Sequence, residues 1–99
     1  MTDRDLMQAL RDCYAADARR NIVDSALVRS ATLIRDHEAP GANIPGVPHR
    51  FIAHITITAP GNDEAANAQL QAQIENRLAG LEAISRSEVK LLPPLFSIL

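Results

Sequence analysis

Four groups of side chains in this 99-residue chain have types and spacing that bear on chemistry. Cys13 is the single cysteine, which excludes an intramolecular disulfide and any all-cysteine metal site within one chain. It lies at the edge of an apolar stripe, where a free thiol is expected to pack as a small hydrophobe. His37, His49 and His54 include no pair at helical i, i+4 spacing, and two of them fall in or beside a Pro/Gly-rich loop, so no metal ligand is expected among them. Asp24 is a carboxylate that can satisfy backbone N–H groups at a turn. The fourth group is the stretch ITITAPGNDEAANAQL, Ile55 to Leu70, in which a strand-like run meets Pro60 and Gly61 and a helix opens at Asn62-Asp63-Glu64. Such a junction presents a reactive group or cradles an anion, yet its tip carries an amide and two carboxylates. No Ser-His-Asp order, glycine-rich phosphate loop or Cys-x-x-Cys pattern accompanies it, so catalysis is not expected.

These residues need elements to position them, and composition limits the choice. Ninety-nine residues make one domain, 1–99, able to bury a single modest core. Apolar residues reach 46%, but only Tyr14, Phe51 and Phe96 are aromatic, so the core must be aliphatic. Few rings, a net charge of −2 and no basic run argue against a nucleic-acid surface. No apolar run approaches the ~20 residues that span a bilayer, and MTDRDLMQAL has no secretory core; a cytoplasmic protein without a membrane segment is expected.

Thr2 or Asp3 caps a first helix, with Leu6, Leu10 and Tyr14 as its stripe and its end near Tyr14. Ile22 and Val23 form a short buried anchor. Leu27 to Arg35 reads as a strand, with Leu27, Ala31 and Leu33 on one face. Phe51 to Thr58 alternates more clearly: Phe51, Ala53, Ile55 and Ile57 face one way, and Ile52, His54, Thr56 and Thr58 the other. The segment 37–50 between them is expected to be a projecting, mobile loop, kept extended by three prolines and available to a partner. A second helix runs from about Asp63 to Ala79 on Ala66, Leu70, Ile74 and Leu78, with Gly80 placed for a left-handed cap. A third strand, Ser85 to Leu92, turns Ser87, Val89 and Leu91 inward, and residues 93–99 form an apolar tail. The fold class is α+β, a two-layer sandwich in the order helix-strand-strand-helix-strand. Both helices are expected on one face of a small mixed or antiparallel sheet. The third strand is expected beside the first.

LRDCYAADARRNIVDSALV together with TITAPGND resembles the SufT/PaaD-like iron–sulfur cluster assembly domains, over about Leu10 to Phe96. Members of that family read roughly Y-D-P-E-x-P-V-N-I-V-D-L-G-L-V and later T-x-T-x-P-x-C-P. Tyr14, Asn21, Ile22, Val23, Asp24, Leu27 and Val28 keep the first motif; Thr56, Thr58, Pro60 and Gly61 keep the second. Pro93-Pro94 with Leu95-Phe96-Ser97 is similar to the family's proline-plus-aromatic ending. The resemblance implies a family pocket at Asp24, Thr58, Gly61 and Asn62. Three departures stand out. The acidic D-P-E becomes Ala15-Ala16-Asp17, the glycine of D-L-G-L becomes Ala26, and the cysteine after the turn becomes Asn62. A thiol there would sit at a helix N-terminus, where its thiolate is favoured. An amide has no such form and is a poor ligand for soft iron–sulfur centres, but it caps a helix well, a role worth about 1 kcal/mol against alanine.

The expected function is therefore a non-enzymatic accessory or adaptor protein of iron–sulfur or metalloenzyme maturation, acting through protein contacts and holding no cofactor in this chain. Its partner would be an iron–sulfur or oxygenase client, and a homodimer is compatible with it. The alternative is a small structural or regulatory interaction module, such as an oxygenase accessory subunit, that keeps the fold only. Cys13 is the one thiol left for any residual chemistry.

Overall fold

The structure, a computed structural model, describes residues 1–94; the rest of the tail, with Phe96, lies outside the described residues. The elements are α1 (Asp3–Leu10), β1 (Val28–Arg35), β2 (Phe51–Thr58), α2 (Glu64–Ala79) and β3 (Ile84–Leu92). This is the expected α+β order, on a mixed sheet. β2 pairs antiparallel with β1 and parallel with β3, so the strand order is β1-β2-β3. The third strand thus adjoins β2, not β1. The reason lies in side-chain content. β2 carries Phe51, Ile52, Ala53, Ile55 and Ile57 and suits a position between two neighbours. β1 exposes Arg29, Ser30, Thr32 and Arg35 and suits an edge.

Ala53, Ile55 and Ile57 of β2 are buried in one cluster with Leu6 and Leu10 of α1 and Leu70, Ile74 and Leu78 of α2. The four-residue repeat of α2 turns these three side chains to one stripe. Val89 and Leu91 of β3 and Ala31 and Leu33 of β1 pack around the cluster. Its lining is aliphatic throughout, with Cys13 and Ile22 filling the end near α1. Burying such a side chain fully stabilises by about 1.5–3 kcal/mol.

Helix ends differ from the sequence reading in three places. Thr2 caps α1, its Oγ1 accepting the Asp5 N–H while Asp5 Oδ2 accepts the Thr2 N–H, a reciprocal box. That bond to the Thr2 N–H holds the Asp5 carboxyl below its usual pKa. α1 ends at Leu10, however, and Tyr14 is 44% exposed, off the stripe. The Gln73 side chain of α2 takes both main-chain groups of Tyr14, accepting its N–H (2.8 Å) and donating to its carbonyl (2.9 Å), and so holds the chain outside the helix. The cap of α2 is Asp63, whose Oδ1 accepts the N–H groups of Ala65 (3.0 Å) and Ala66 (3.2 Å); Asn62 lies one residue outside that role. Gly80 is right-handed (φ −77°) rather than left-handed, so its position does not demand glycine.

The 37–50 segment is not extended either. Successive four-residue turns, Asp36 to Ala39, Ala39 to Ala42, Gly41 to Ile44 and Ile44 to Val47, coil it, with Gly41 and Gly46 at positive φ. Its base is clamped to the start of β3. Ser85 Oγ donates to Asp36 Oδ2 (2.6 Å), and Arg50 donates to the carbonyls of Glu82 (3.1 Å) and Ile84 (3.0 Å). The Ser85 hydroxyl is the main reason that the Asp36 carboxyl lies below its usual pKa.

If Asp63 is the cap of α2, Asp63→Ala lowers stability by about 1 kcal/mol, a fall of roughly 4–8 °C in Tm for a domain of this size. Asn62→Ala stays within about 0.5 kcal/mol of the parent. Thermal melts of the two variants decide it; a larger loss for Asn62→Ala would return the cap to that residue.

Candidate functional site

The strand-to-helix junction opens onto two adjoining clefts. One, of about 470 Å³, lies between Gly61, Asn62 and Asn67 on the α2 side and Leu91, Leu92 and Pro94 on the other. The second, about 300 Å³, lies between Ser25, Ala26 and Leu27 and the end of β2 at Thr58 and Pro60. Ala59 and Pro94 line both. The junction is built by main-chain bonds on either side of the strand end: the Thr58 N–H reaches the Leu27 carbonyl and the Ala59 N–H the Leu92 carbonyl, each at 2.8 Å. In the first turn of α2, Asn67 Nδ2 donates to the Gly61 carbonyl at 3.0 Å and fixes the approach of the chain.

Two side-chain oxygens at this junction are buried with no hydrogen-bond partner among the described residues, Thr58 Oγ1 and Asn67 Oδ1. Leaving a buried acceptor unpaired costs about 1–3 kcal/mol, so each is a place where an N–H or O–H donor would gain. The chemistry on offer is hydrogen-bond acceptance beside apolar walls of proline and leucine. The tip of the junction is the exposed amide of Asn62, and Asp63 is occupied as the cap. Of the residues expected at a pocket, Gly61 and Asn62 line the larger cleft and Thr58 the smaller. Asn67 is the residue that the sequence reading passed over; its place one turn after Asp63, facing back to Gly61, was the available signal.

Asp24 does not join them. It lines neither cleft, and its carboxylate accepts from Arg11 Nη1 and from Asn21 Nδ2 (3.0 Å). Nor does it hold backbone N–H groups, the alternative role considered for it. Asn21 does: its Oδ1 accepts the N–H groups of Val23 (3.0 Å) and Asp24 (2.8 Å), as a helix cap would. The far end of this single turn is closed by Leu27 N–H to the Ile22 carbonyl (3.0 Å) and Ala26 N–H to the Val23 carbonyl (3.1 Å), with Ala26 left-handed at φ 60°. That is a Schellman closure around a non-glycine residue. The NIVD motif therefore codes a capped turn that drives Ile22 into the core.

Cys13 is fully buried, and burial pushes its thiol pKa up, against a smaller opposing pull from Arg77. It cannot supply the thiol that the turn lacks. His37 and His49 are exposed, and His54 Nδ1 lies 2.9 Å from Glu88 Oε2 on the sheet. Among the described residues, no group of three or more His, Cys, Asp or Glu side chains is placed to hold a metal, and no helix is long and apolar enough to cross a membrane.

Two outcomes follow from these positions. A left-handed alanine costs about 1–2 kcal/mol, partly offset by its stiffer unfolded chain, so Ala26→Gly raises Tm by a few degrees; an unchanged or lower Tm in calorimetry would mean that the left-handed turn is not kept in solution. In native protein, iodoacetamide labels an Asn62→Cys thiol faster than Cys13, read by mass spectrometry site by site. Faster labelling of Cys13 would place that thiol at the surface.

The chain was compared with protein-family models, with curated proteins and with solved structures, and none of them matches it.

Proposed function

We propose that this chain is a non-enzymatic accessory protein for iron–sulfur or metalloenzyme maturation, a divergent relative of the SufT/PaaD-like domains, that works by binding a client protein through the junction of β2 and α2. The observation that carries this reading is the left-handed backbone of Ala26 at the position where those domains have glycine. The motif resemblance predicts a conformation there that alanine alone would not suggest. Thr58 lines one of the two adjoining clefts and Gly61 the other, and on the resemblance Asn62 takes the position of the family thiol. Pro60, Leu92 and Pro94 on the cleft walls suit apolar side chains of a segment of the client.

A second reading, an interaction module that keeps the fold only, is favoured by the internal use of NIVD. Asn21, Ile22 and Asp24 are all engaged in building their own turn, and a fold can retain such residues without the family's task.

Gly61→Phe separates the two. Gly61 lines the larger cleft and a Cβ there meets nothing within 4 Å, so a large side chain adds bulk at the cleft without disturbing the backbone. Affinity capture with the parent protein is expected to retain iron–sulfur or oxygenase components, and Gly61→Phe is expected to lose them. Equal capture by both, or no metalloenzyme at all, sinks the maturation reading. Anaerobic incubation with iron and sulfide is expected to leave no stoichiometric cluster on the chain; a stable chromophore at about one per monomer would contradict the role assigned to Asn62.

A further inference from the structure

The sheet has two edges, and they are not alike. At β1 the edge is blunted: Asp3 Oδ1 accepts the Leu33 N–H (3.3 Å), and an irregularity between Val28 and Ser30 breaks the ladder. Both devices discourage strand addition. β3 is longer, and β2 lies on one side of it only. The Ala59 N–H reaches the Leu92 carbonyl, so by strand alternation Arg86, Glu88, Lys90 and Leu92 direct their main-chain groups to β2. Ser87, Val89 and Leu91 direct theirs outward, and no described residue is bonded to them there.

On the face away from the core the same strand presents Arg86, Glu88 and Lys90 in sequence. Glu88 is flanked by His54 (2.9 Å) and Arg86 (3.3 Å) and is still half exposed, while Lys90 has no ion pair among the described residues.

We infer that β3 pairs antiparallel with β3 of a second copy, about a twofold axis at Val89, and joins the two sheets into one. With Val89 opposite Val89 of the second copy, Ser87 stands opposite Leu91. The outward-facing residues are then opposed to one another, and each pair exchanges both of its main-chain hydrogen bonds. The same register sets Glu88 opposite Lys90 of the second copy, twice over by symmetry, in the non-hydrogen-bonded positions where side chains come closest. Other axes fit less well. An axis at Ser87 lays the irregular stretch from Ile84 to Arg86 against Glu88, Val89 and Lys90. An axis at Leu91 runs Pro93 and Pro94, which have no N–H to give, into the ladder.

Sedimentation equilibrium tests this on the whole chain. The parent is expected to give a weight-average mass of about 1.7 times the monomer's or more at roughly 300 µM, for a Kd of about 100 µM or tighter. Lys90→Glu opposes Glu88 to a second carboxylate and weakens the dimer by at least about tenfold. Glu88→Lys does the same with two cations. Mixed one to one, the two variants form a heterodimer tighter than either with itself, because their charges again complement. Ser87→Pro removes an outward N–H without touching the β2–β3 ladder, and it also weakens association, with circular dichroism reporting that the fold is kept. A parent that sediments as a monomer throughout, a dimer indifferent to Lys90→Glu, or a mixture no tighter than its components would overturn the proposal. The charge variants carry the decision if Ser87→Pro does not fold.

Discussion

β2 is hydrogen-bonded along both edges, and most of the molecule follows from that. A central strand must satisfy its main-chain groups through two neighbours at once, one antiparallel and one parallel. The antiparallel partner needs only a connection, here the coiled 37–50 segment. The parallel partner needs a crossover, and α2 provides it. Because α2 leaves the end of β2 and returns to the start of β3, its apolar stripe is drawn over Ala53, Ile55 and Ile57. The alternation of β2 and the four-residue repeat of α2 therefore describe two walls of one core. The strand-to-helix junction and the free edge of β3 are consequences of the same arrangement: one is where the crossover begins, the other is where the sheet runs out of partners.

The NIVD segment shows how a motif can be specific without being a site. The Asn21 side chain accepts two main-chain N–H groups and donates to the Asp24 carboxylate in a single turn, which an asparagine can do because its amide carries both an acceptor and a donor. Asp24 orients that amide and is itself held by Arg11. The turn then needs a residue at positive φ to reverse the chain toward β1, a position that glycine takes at no steric cost and alanine does not. The motif's residue types thus follow from backbone requirements. This chain meets the last of them with Ala26 at φ 60°, a strained choice for a residue with a Cβ.

Much of the architecture was legible in the sequence for a physical reason. Periodicities of two and of about four are local properties, and they placed β2, the stripe of α2 and the inward set Ser87, Val89 and Leu91 before any contact was known. Element ends were less legible. Asn62 and Asp63 are both good caps, and local chemistry does not choose between neighbours; the path of the chain through Gly61, held by Asn67, made the choice. Tyr14 continued the α1 stripe on paper, but Gln73, 59 residues away, took its main-chain groups out of the helix.

Tertiary structure alone decided what the junction became. By alternation Thr58 belongs with His54 and Thr56 on the face away from the core, yet it is only 5% exposed, because the 25–27 turn and Pro94 close over the strand end. Nothing local to Thr58 encodes that cover, which depends on bringing together segments more than thirty residues apart. The same holds for strand order. The apolar content of β2 suits the central place, but the alternation of β3 fits either neighbour, and the sequence reading set it beside β1. α2 packs on the core and returns the chain to the start of β3, which lies beside β2.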